Sequence, residues 1–137
     1  MNITTQNKVR SAQETLVGRA VVARAALIDI ASVLVFVAIG RRNHDEGTAI
    51  SGVLSVAAPF LIALAVAWAG GRVWRAPQSF RIGVTVWAST VVVGLALRRL
   101  VFDHGIATPF VIVATLFLGF ELLGWRAIAT HRTSKRL

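Results

Sequence analysis

The chain of 137 residues contains no cysteine and only 6 acidic residues. The absence of cysteine excludes disulfides, thiolate metal sites and dithiol redox chemistry, including the quinone-coupled thiol oxidation of some four-span membrane proteins. Charged residues make up 15% of the chain and hydrophobic residues 55%. A soluble domain of this size with that balance would expose large apolar patches. The composition therefore predicts that lipid surrounds most of the chain.

Four long apolar runs fill most of the sequence, at residues 22–40, 49–69, 80–97 and 107–128. Each has roughly the 20 residues that an α-helix needs to cross a hydrocarbon core of ~30 Å. The connections are short, which favours antiparallel neighbours. The sequence predicts an all-α polytopic membrane protein, an up-down-up-down bundle of four transmembrane helices. Residues 1–21 are predicted to form an N-terminal segment with an amphipathic surface helix, and residues 129–137 a basic tail.

Fifteen Lys and Arg residues give the chain a net charge of +9. They flank the apolar runs, as expected for residues that anchor helices, so no nucleic-acid partner is predicted. The N-terminal segment, the middle loop and the tail carry most of them, and Arg41, Arg42, Arg98 and Arg99 lie on the other side. The positive-inside bias predicts a multi-pass protein of the cell membrane with cytoplasmic termini, and it argues against an antiparallel dual-topology dimer.

Two acidic residues interrupt apolar spans, Asp29 in the first and Glu121 in the fourth. Measured from the outer ends of the spans, they lie at similar depths of about 16 Å and about 21 Å. Burying an ionisable group within the membrane costs free energy, so we expect each acid to have either a partner or a function. One hypothesis is a shared proton or cation site. The alternative is a structural ion pair or snorkelling. Arg126 is within reach of Glu121, whereas Asp29 has no partner at helical spacing.

Span three has a stripe of small residues, formed by Gly83, Thr90 and Gly94, and Pro59 interrupts span two. Such a stripe is typical of close helix packing, and here it is also the predicted contact between copies of the chain. Pro59 removes a backbone hydrogen bond and is expected to kink its helix. A polar lining for a permeation path beside that kink is the alternative interpretation.

Metal-ligand residue types are concentrated in the outer loops, and four tryptophans lie toward the cytoplasmic side. The candidate ion ligands are His44, Asp45, Glu46, Asp103 and His104. They suit a divalent cation, but without fixed ligand spacing a solvated charged loop is the favoured interpretation. Trp68, Trp74 and Trp125 suit an interfacial belt, and Trp87 is expected to serve in packing or ligand contact. No catalytic motif is present, so neither an enzyme nor a cofactor is predicted.

The chain resembles a family of small four-span prokaryotic membrane proteins known as domain of unknown function three-zero-five-four. The resemblance rests on Asp29 ahead of the Ile39, Gly40, Arg41, Arg42 and His44 run, on Pro59, on Gly94 with Arg98, on Pro109, Phe110 and Val111, and on Gly124, Trp125 and Arg126. It extends from about Ala25 to Arg126. The resemblance implies the four-span topology and a prokaryotic inner or plasma membrane, and it brings no activity, substrate or site.

The sequence narrowly favours a small permease-like or channel-like protein that uses Asp29, alone or with Glu121, to handle a proton or cation. The alternative is a non-catalytic accessory or structural subunit of a larger membrane complex. The expected partners are the lipid bilayer and either further copies of the chain or a larger complex, with a small solute or ion as the candidate ligand.

Overall fold

A computed structural model describes residues 2–43 and 49–137, and no strand occurs in either range. The four long helices are α1 (Ile3–Asn43), α2 (Ile50–Gly71), α3 (Phe80–Leu100) and α4 (Thr108–Lys135). Each is long and apolar enough to cross a membrane. An all-helical fold with four helices of spanning length is therefore confirmed.

The first and last helices are longer than their apolar runs. The helix α1 begins at Ile3, so the predicted N-terminal segment is continuous with the first span, and residues 2–20 are exposed. The helix α4 continues through most of the predicted basic tail to Lys135. Extending an existing helix fixes one residue for each new hydrogen bond and avoids the cost of nucleation. Apolar length therefore predicts a span but underestimates the helix that contains it.

A tight turn joins α2 to α3. Arg72 ends α2 in the left-handed region, with φ of 48°, and its N–H turns back toward the carbonyl groups of Trp68 and Ala69. A single 3-10 turn, Val73–Arg75, follows, and the side chain of Val73 is buried. Pro77 then lies in the short segment before α3. We call this end of the bundle the Pro77 end.

The four helices enclose one apolar core, because α1 contacts α2 and α4, and α3 also contacts both. Four phenylalanines form its aromatic part. Phe36 of α1 lies edge-on to Phe60 of α2 at 5.9 Å between ring centroids, and Phe110 and Phe117 of α4 pack against Phe36 at 6.0 and 5.8 Å. Edge-to-face and tilted pairs at these distances are favourable beyond their buried area. The cluster joins three of the helices.

The small-residue stripe of α3 lies inside the bundle. Gly83, Thr90 and Gly94 are buried within the single chain. A Cβ at Gly94 would lie 2.5 Å from Cδ1 of Phe60, so glycine is required for this approach of α3 to α2. The stripe therefore serves close helix packing within the chain. It does not face outward, and the prediction that it forms the contact between copies was wrong.

Pro59 also lies inside the bundle, on the buried face of α2, and the helix continues through it. A kink at this position stays a prediction. Pro109 occupies the first turn of α4, which begins at Thr108, and Ala107 is the N-cap residue. A proline in the first turn costs little because its missing N–H has no partner within the helix.

We expect Gly94→Ala to lower the free energy of unfolding by about 1–3 kcal/mol, because the new methyl group forces Phe60 out of its position. Gly124→Ala is the matched control, since a Cβ there meets nothing within 4 Å. Thermal unfolding of both variants in the same detergent checks the prediction. Equal effects of the two substitutions would contradict it, and Phe60→Leu should partly rescue Gly94→Ala.

Candidate functional site

Asp29 lies on α1, and its side chain is fully buried against Arg126 of α4, which is also fully buried. Nη1 of Arg126 donates to Oδ1 of Asp29 at 2.9 Å, and Nη2 donates to Oδ2 at 2.7 Å. Two parallel hydrogen bonds of this length form a bidentate pair, the strongest arrangement between a guanidinium and a carboxylate. The two residues are 97 positions apart in the chain, so the pair ties the first helix to the last.

The rest of the Arg126 guanidinium binds backbone carbonyls. Its Nε donates to the carbonyl of Pro77 at 2.9 Å, and Nη1 also donates to the carbonyl of Leu122 at 3.0 Å. Leu122 lies one turn earlier on α4, whereas Pro77 belongs to the turn between α2 and α3. All three guanidinium nitrogens of Arg126 therefore have acceptors, and the side chain fixes that turn against α1 and α4.

Two tryptophans complete the coordination of Asp29. Nε1 of Trp125 donates to Oδ1 at 2.9 Å, and Nε1 of Trp68 donates to Oδ2 at 2.9 Å. Each carboxylate oxygen thus accepts one hydrogen bond from Arg126 and one from an indole. The guanidinium carbon of Arg126 also lies 4.4 Å from the ring centroid of Trp125, in cation–π contact. We call Asp29, Arg126, Trp68, Trp125 and Pro77 the polar cluster.

Gly83 of α3 provides the space for this arrangement. A Cβ there would lie 2.5 Å from Cδ of Arg126 and 3.3 Å from the side chain of Leu123. The glycine allows α3 to approach α4 at the depth where the arginine crosses the bundle. All four helices and the α2–α3 turn therefore meet at the polar cluster.

Glu121, the second predicted intramembrane acid, lies apart from the polar cluster. It is partly buried and lies beside Ser32 of α1, whose hydroxyl donates to the carbonyl of Ile28 at 2.9 Å. Its Oε2 atom is buried without a hydrogen-bond partner. The expectation that Arg126 would serve Glu121 was wrong, because the bidentate pair with Asp29 uses both terminal nitrogens of the arginine. Glu121 therefore takes no part in the hydrogen bonds that bind Asp29, and a proton or cation site shared by the two acids stays a prediction.

Trp87 and Thr90 of α3 lie against the interior. Nε1 of Trp87 donates to the carbonyl of Thr115 at 2.9 Å, and the indole lies against Gly119, where a Cβ would be 3.0 Å from Nε1. These contacts assign Trp87 to packing between α3 and α4. The Oγ1 atom of Thr90 is buried and has no hydrogen-bond partner. Both side chains lie within the bundle rather than on its lipid face.

The predicted ion ligands in the outer loops are only partly covered by the structure. His44, Asp45 and Glu46 lie outside the described residues. Asp103 pairs with Arg99 at 3.2 Å, and His104 lies near the ring of Phe102. Across residues 2–43 and 49–137, no three His, Asp or Glu side chains are placed to hold a metal ion. A site that includes the loop after α1 stays a prediction.

Of the residues in the polar cluster, only Asp29 was predicted from the sequence as a site residue. The tryptophans were assigned to an interfacial belt, and Arg126 to the neighbouring acid. One signal was present, because Arg126 lies inside the fourth apolar run, where a charge without a partner is costly. Neither the two indole donors nor the Pro77 carbonyl leaves such a signal, since their directions depend on tertiary packing.

The fold and this cluster define a small all-helical protein with four helices of membrane-spanning length. The family model described as "Protein of unknown function (DUF3054)" matches residues 26–129, about three quarters of the chain. The chain belongs to this family, which confirms the resemblance inferred from its motifs. No curated protein and no solved structure matches it.

Removing either charge of the buried pair should destabilise the protein severely. We expect Asp29→Asn or Arg126→Gln each to cost about 3–5 kcal/mol, because the remaining charge is left buried without its counter-charge. The double variant should cost less than the sum of the two single variants. A double-mutant cycle of unfolding free energies checks this. Additive costs would contradict an energetic coupling between the two side chains.

The indole hydrogen bonds to Asp29 give a second prediction. Trp68→Phe keeps an aromatic ring but removes the donor, and we expect a loss of about 1.5–3 kcal/mol for a hydrogen bond to a charged group. Trp74→Phe is the control, because Trp74 is half exposed in the α2–α3 turn. Chemical unfolding in detergent followed by circular dichroism measures both. Similar stabilities for the two variants would contradict the role of Trp68.

Proposed function

We propose that this chain is a non-catalytic accessory protein of the cell membrane, a structural subunit of a larger assembly. The observation that carries the proposal is the coordination of Asp29. The carboxylate is fully buried, and each of its oxygens accepts two hydrogen bonds. A group that binds and releases protons or cations needs access to water and a free lone pair. Asp29 has neither, so its coordination favours a structural role over transport.

The proposed orientation places both termini and the Pro77 end in the cytoplasm. It is supported by the excess of Lys and Arg at that end. It is also supported by the contacts of α1, whose middle meets the last part of α4 through Asp29 and Arg126, while Phe36 further along α1 meets the first part of α4 through Phe110. These contacts fit an up-down-up-down bundle, in which consecutive helices alternate in direction.

The N-terminal part of α1 supports a role in an assembly. Residues 2–20 are exposed throughout, and they include large apolar side chains such as Leu16 and Val17. At ~1.5 Å per residue, this part of the helix extends roughly 27 Å beyond the bundle. An isolated helix of this length is marginal in water, so a contact outside the bundle would stabilise it. We propose that a protein subunit of the complex provides that contact.

A second candidate function is the transport of a proton or cation by the carboxylate of Glu121 instead of Asp29. Its Oε2 atom is buried and has no hydrogen-bond partner, unlike the saturated carboxylate of Asp29. A permease-like or channel-like protein that handles a proton or cation at this position is consistent with that free acceptor. Transport of this kind would depend on Glu121 alone, without a contribution from Asp29.

Proteoliposomes that enclose a pH-sensitive dye distinguish the two candidates. For an accessory protein, we expect proton flux equal to that of empty liposomes under an imposed pH gradient and membrane potential. Flux that is lost in Glu121→Gln but kept in the control Glu14→Gln would favour the second candidate. Glu14 is a suitable control because it is exposed on α1 and pairs with Arg10.

The assembly itself is tested by extracting the chain from its native membrane in polymer nanodiscs at natural expression levels. We expect a complex whose protein mass is not an integer multiple of the 14.7 kDa chain. Leu16→Arg, on the exposed part of α1, should reduce the amount of that complex, whereas Thr15→Arg at the neighbouring position of the same helix should reduce it less. A monomer or a homo-oligomer as the only species would contradict the accessory role.

A further inference from the structure

A cavity of about 440 Å³ opens between α1 and α4 at the Pro77 end. Its charged lining comes from Arg24 of α1 and from Arg132 and Arg136 at the end of α4. Its apolar lining includes Ile28, Trp125 and Ile128. The volume lies within the usual range for small-molecule sites, and the combination of apolar walls with a few convergent polar groups is typical of them.

The three arginines of this cavity have no acidic partner in the described part of the chain. Three of the four carboxylate side chains described there pair with other arginines, Glu14 with Arg10, Asp29 with Arg126 and Asp103 with Arg99, and the fourth, Glu121, does not line the cavity. Basic side chains in the last turn of a helix do favour its carbonyl end, which accounts in part for Arg132 and Arg136. Arg24 lies on another helix, so that interaction does not explain its convergence with them.

The distribution of charge within the cavity identifies the class of ligand. Ile28 follows Arg24 on α1 and Ile128 precedes Arg132 on α4, so both isoleucines lie on the side of the apolar spans. Arg132 and Arg136 lie beyond the last apolar run. A ligand that fills the cavity therefore needs an anionic group at one end and a hydrocarbon part at the other. Arginine binds phosphate oxygens in a fork geometry that suits a phosphodiester.

We infer that this cavity binds the phosphate head group of an anionic phospholipid, with the start of its acyl chains along Ile28 and Ile128. The inference does not depend on the accessory role, because either proposed function is compatible with a bound lipid. In a membrane with a negatively charged cytoplasmic surface, the site would also favour the orientation with the Pro77 end inside. A head group bound to Arg24 and Arg132 links α1 to α4 just beyond the polar cluster.

Lipid titration of the delipidated full-length chain in neutral detergent tests the inference, with native mass spectrometry to count bound lipids. We expect one phosphatidylglycerol to bind per chain in a saturable manner, at least about tenfold more tightly than phosphatidylcholine. The triple variant Arg24→Gln, Arg132→Gln, Arg136→Gln should lose that preference. Equal binding of the two lipids to the wild-type chain would overturn the inference.

The matched control removes the same number of charges from residues that do not line the cavity, as Lys8→Gln, Arg19→Gln and Lys135→Gln. This variant should retain phosphatidylglycerol affinity within about twofold, because the bound head group does not contact these residues. An equal loss in both triple variants would mean that the attraction is diffuse and would overturn the site. Because Arg24 is exposed, Arg24→Gln alone provides a variant that keeps the fold, and it should weaken binding severalfold.

Competition separates a lipid from a free anion of the same chemistry. Inorganic phosphate and glycerol phosphate should fail to displace phosphatidylglycerol, because they lack the acyl chains that contact the apolar lining. Full displacement by either soluble anion at millimolar concentration would overturn the lipid assignment and indicate a site for a phosphorylated solute.

Discussion

The buried ion pair between Asp29 and Arg126 constrains the whole bundle. A lone charge inside a membrane protein is costly, and each of these two residues is fully buried. The cost is offset only when the counter-charge and the remaining hydrogen-bond partners are held in good geometry. Here the pair requires α1 and α4 to lie side by side, Trp68 of α2 to turn inward, and the Pro77 carbonyl to face the arginine. The alignment of the helices at this end therefore follows from satisfying two charges.

Outside the polar cluster, the interior stabilises the fold by close packing more than by polar contacts. Small residues of α3 allow the close approaches that the cluster and the core require, since Gly83 leaves space for Arg126 and Gly94 leaves space for Phe60. In a membrane, packing of this kind is a main source of helix association, because lipid chains are as apolar as the side chains they touch. The polar cluster, together with Gly83 and Gly94, therefore defines how the apolar helices align.

Much of the fold could be predicted from the sequence, because spanning length is a local property. The four spans and the family resemblance follow from such patterns. The site was only half predictable: Asp29 was evident because it interrupts an apolar run, but its partners lie on other segments of the chain. Arg126 was assigned to Glu121 on proximity in sequence, whereas the opposite direction of α4 brings it to Asp29. The predicted helix of the N-terminal segment is continuous with α1, and the continuation of α4 into the basic tail was not predicted, because apolar composition does not mark where hydrogen bonding stops.

The two intramembrane acids differ in their hydrogen bonding. Asp29 is explained by its own coordination and needs no transported ion to account for its presence. Glu121 retains a buried oxygen without a partner, which makes it the more informative position for transport measurements. The cavity at the Pro77 end, lined by Arg24, Arg132 and Arg136, is the contact with lipid head groups that we propose.

Solid-state NMR in lipid bilayers tests the central ion pair most directly. The measurement is the dipolar coupling between ¹³C in the aspartate carboxyl groups and ¹⁵N in the arginine guanidinium groups. Asp29→Asn serves as the reference that removes this contribution and leaves the pair of Asp103 with Arg99. We expect a strong coupling that is lost in Asp29→Asn, as two hydrogen bonds of 2.9 and 2.7 Å require. Identical couplings in the wild-type chain and in the Asp29→Asn variant would contradict the buried pair.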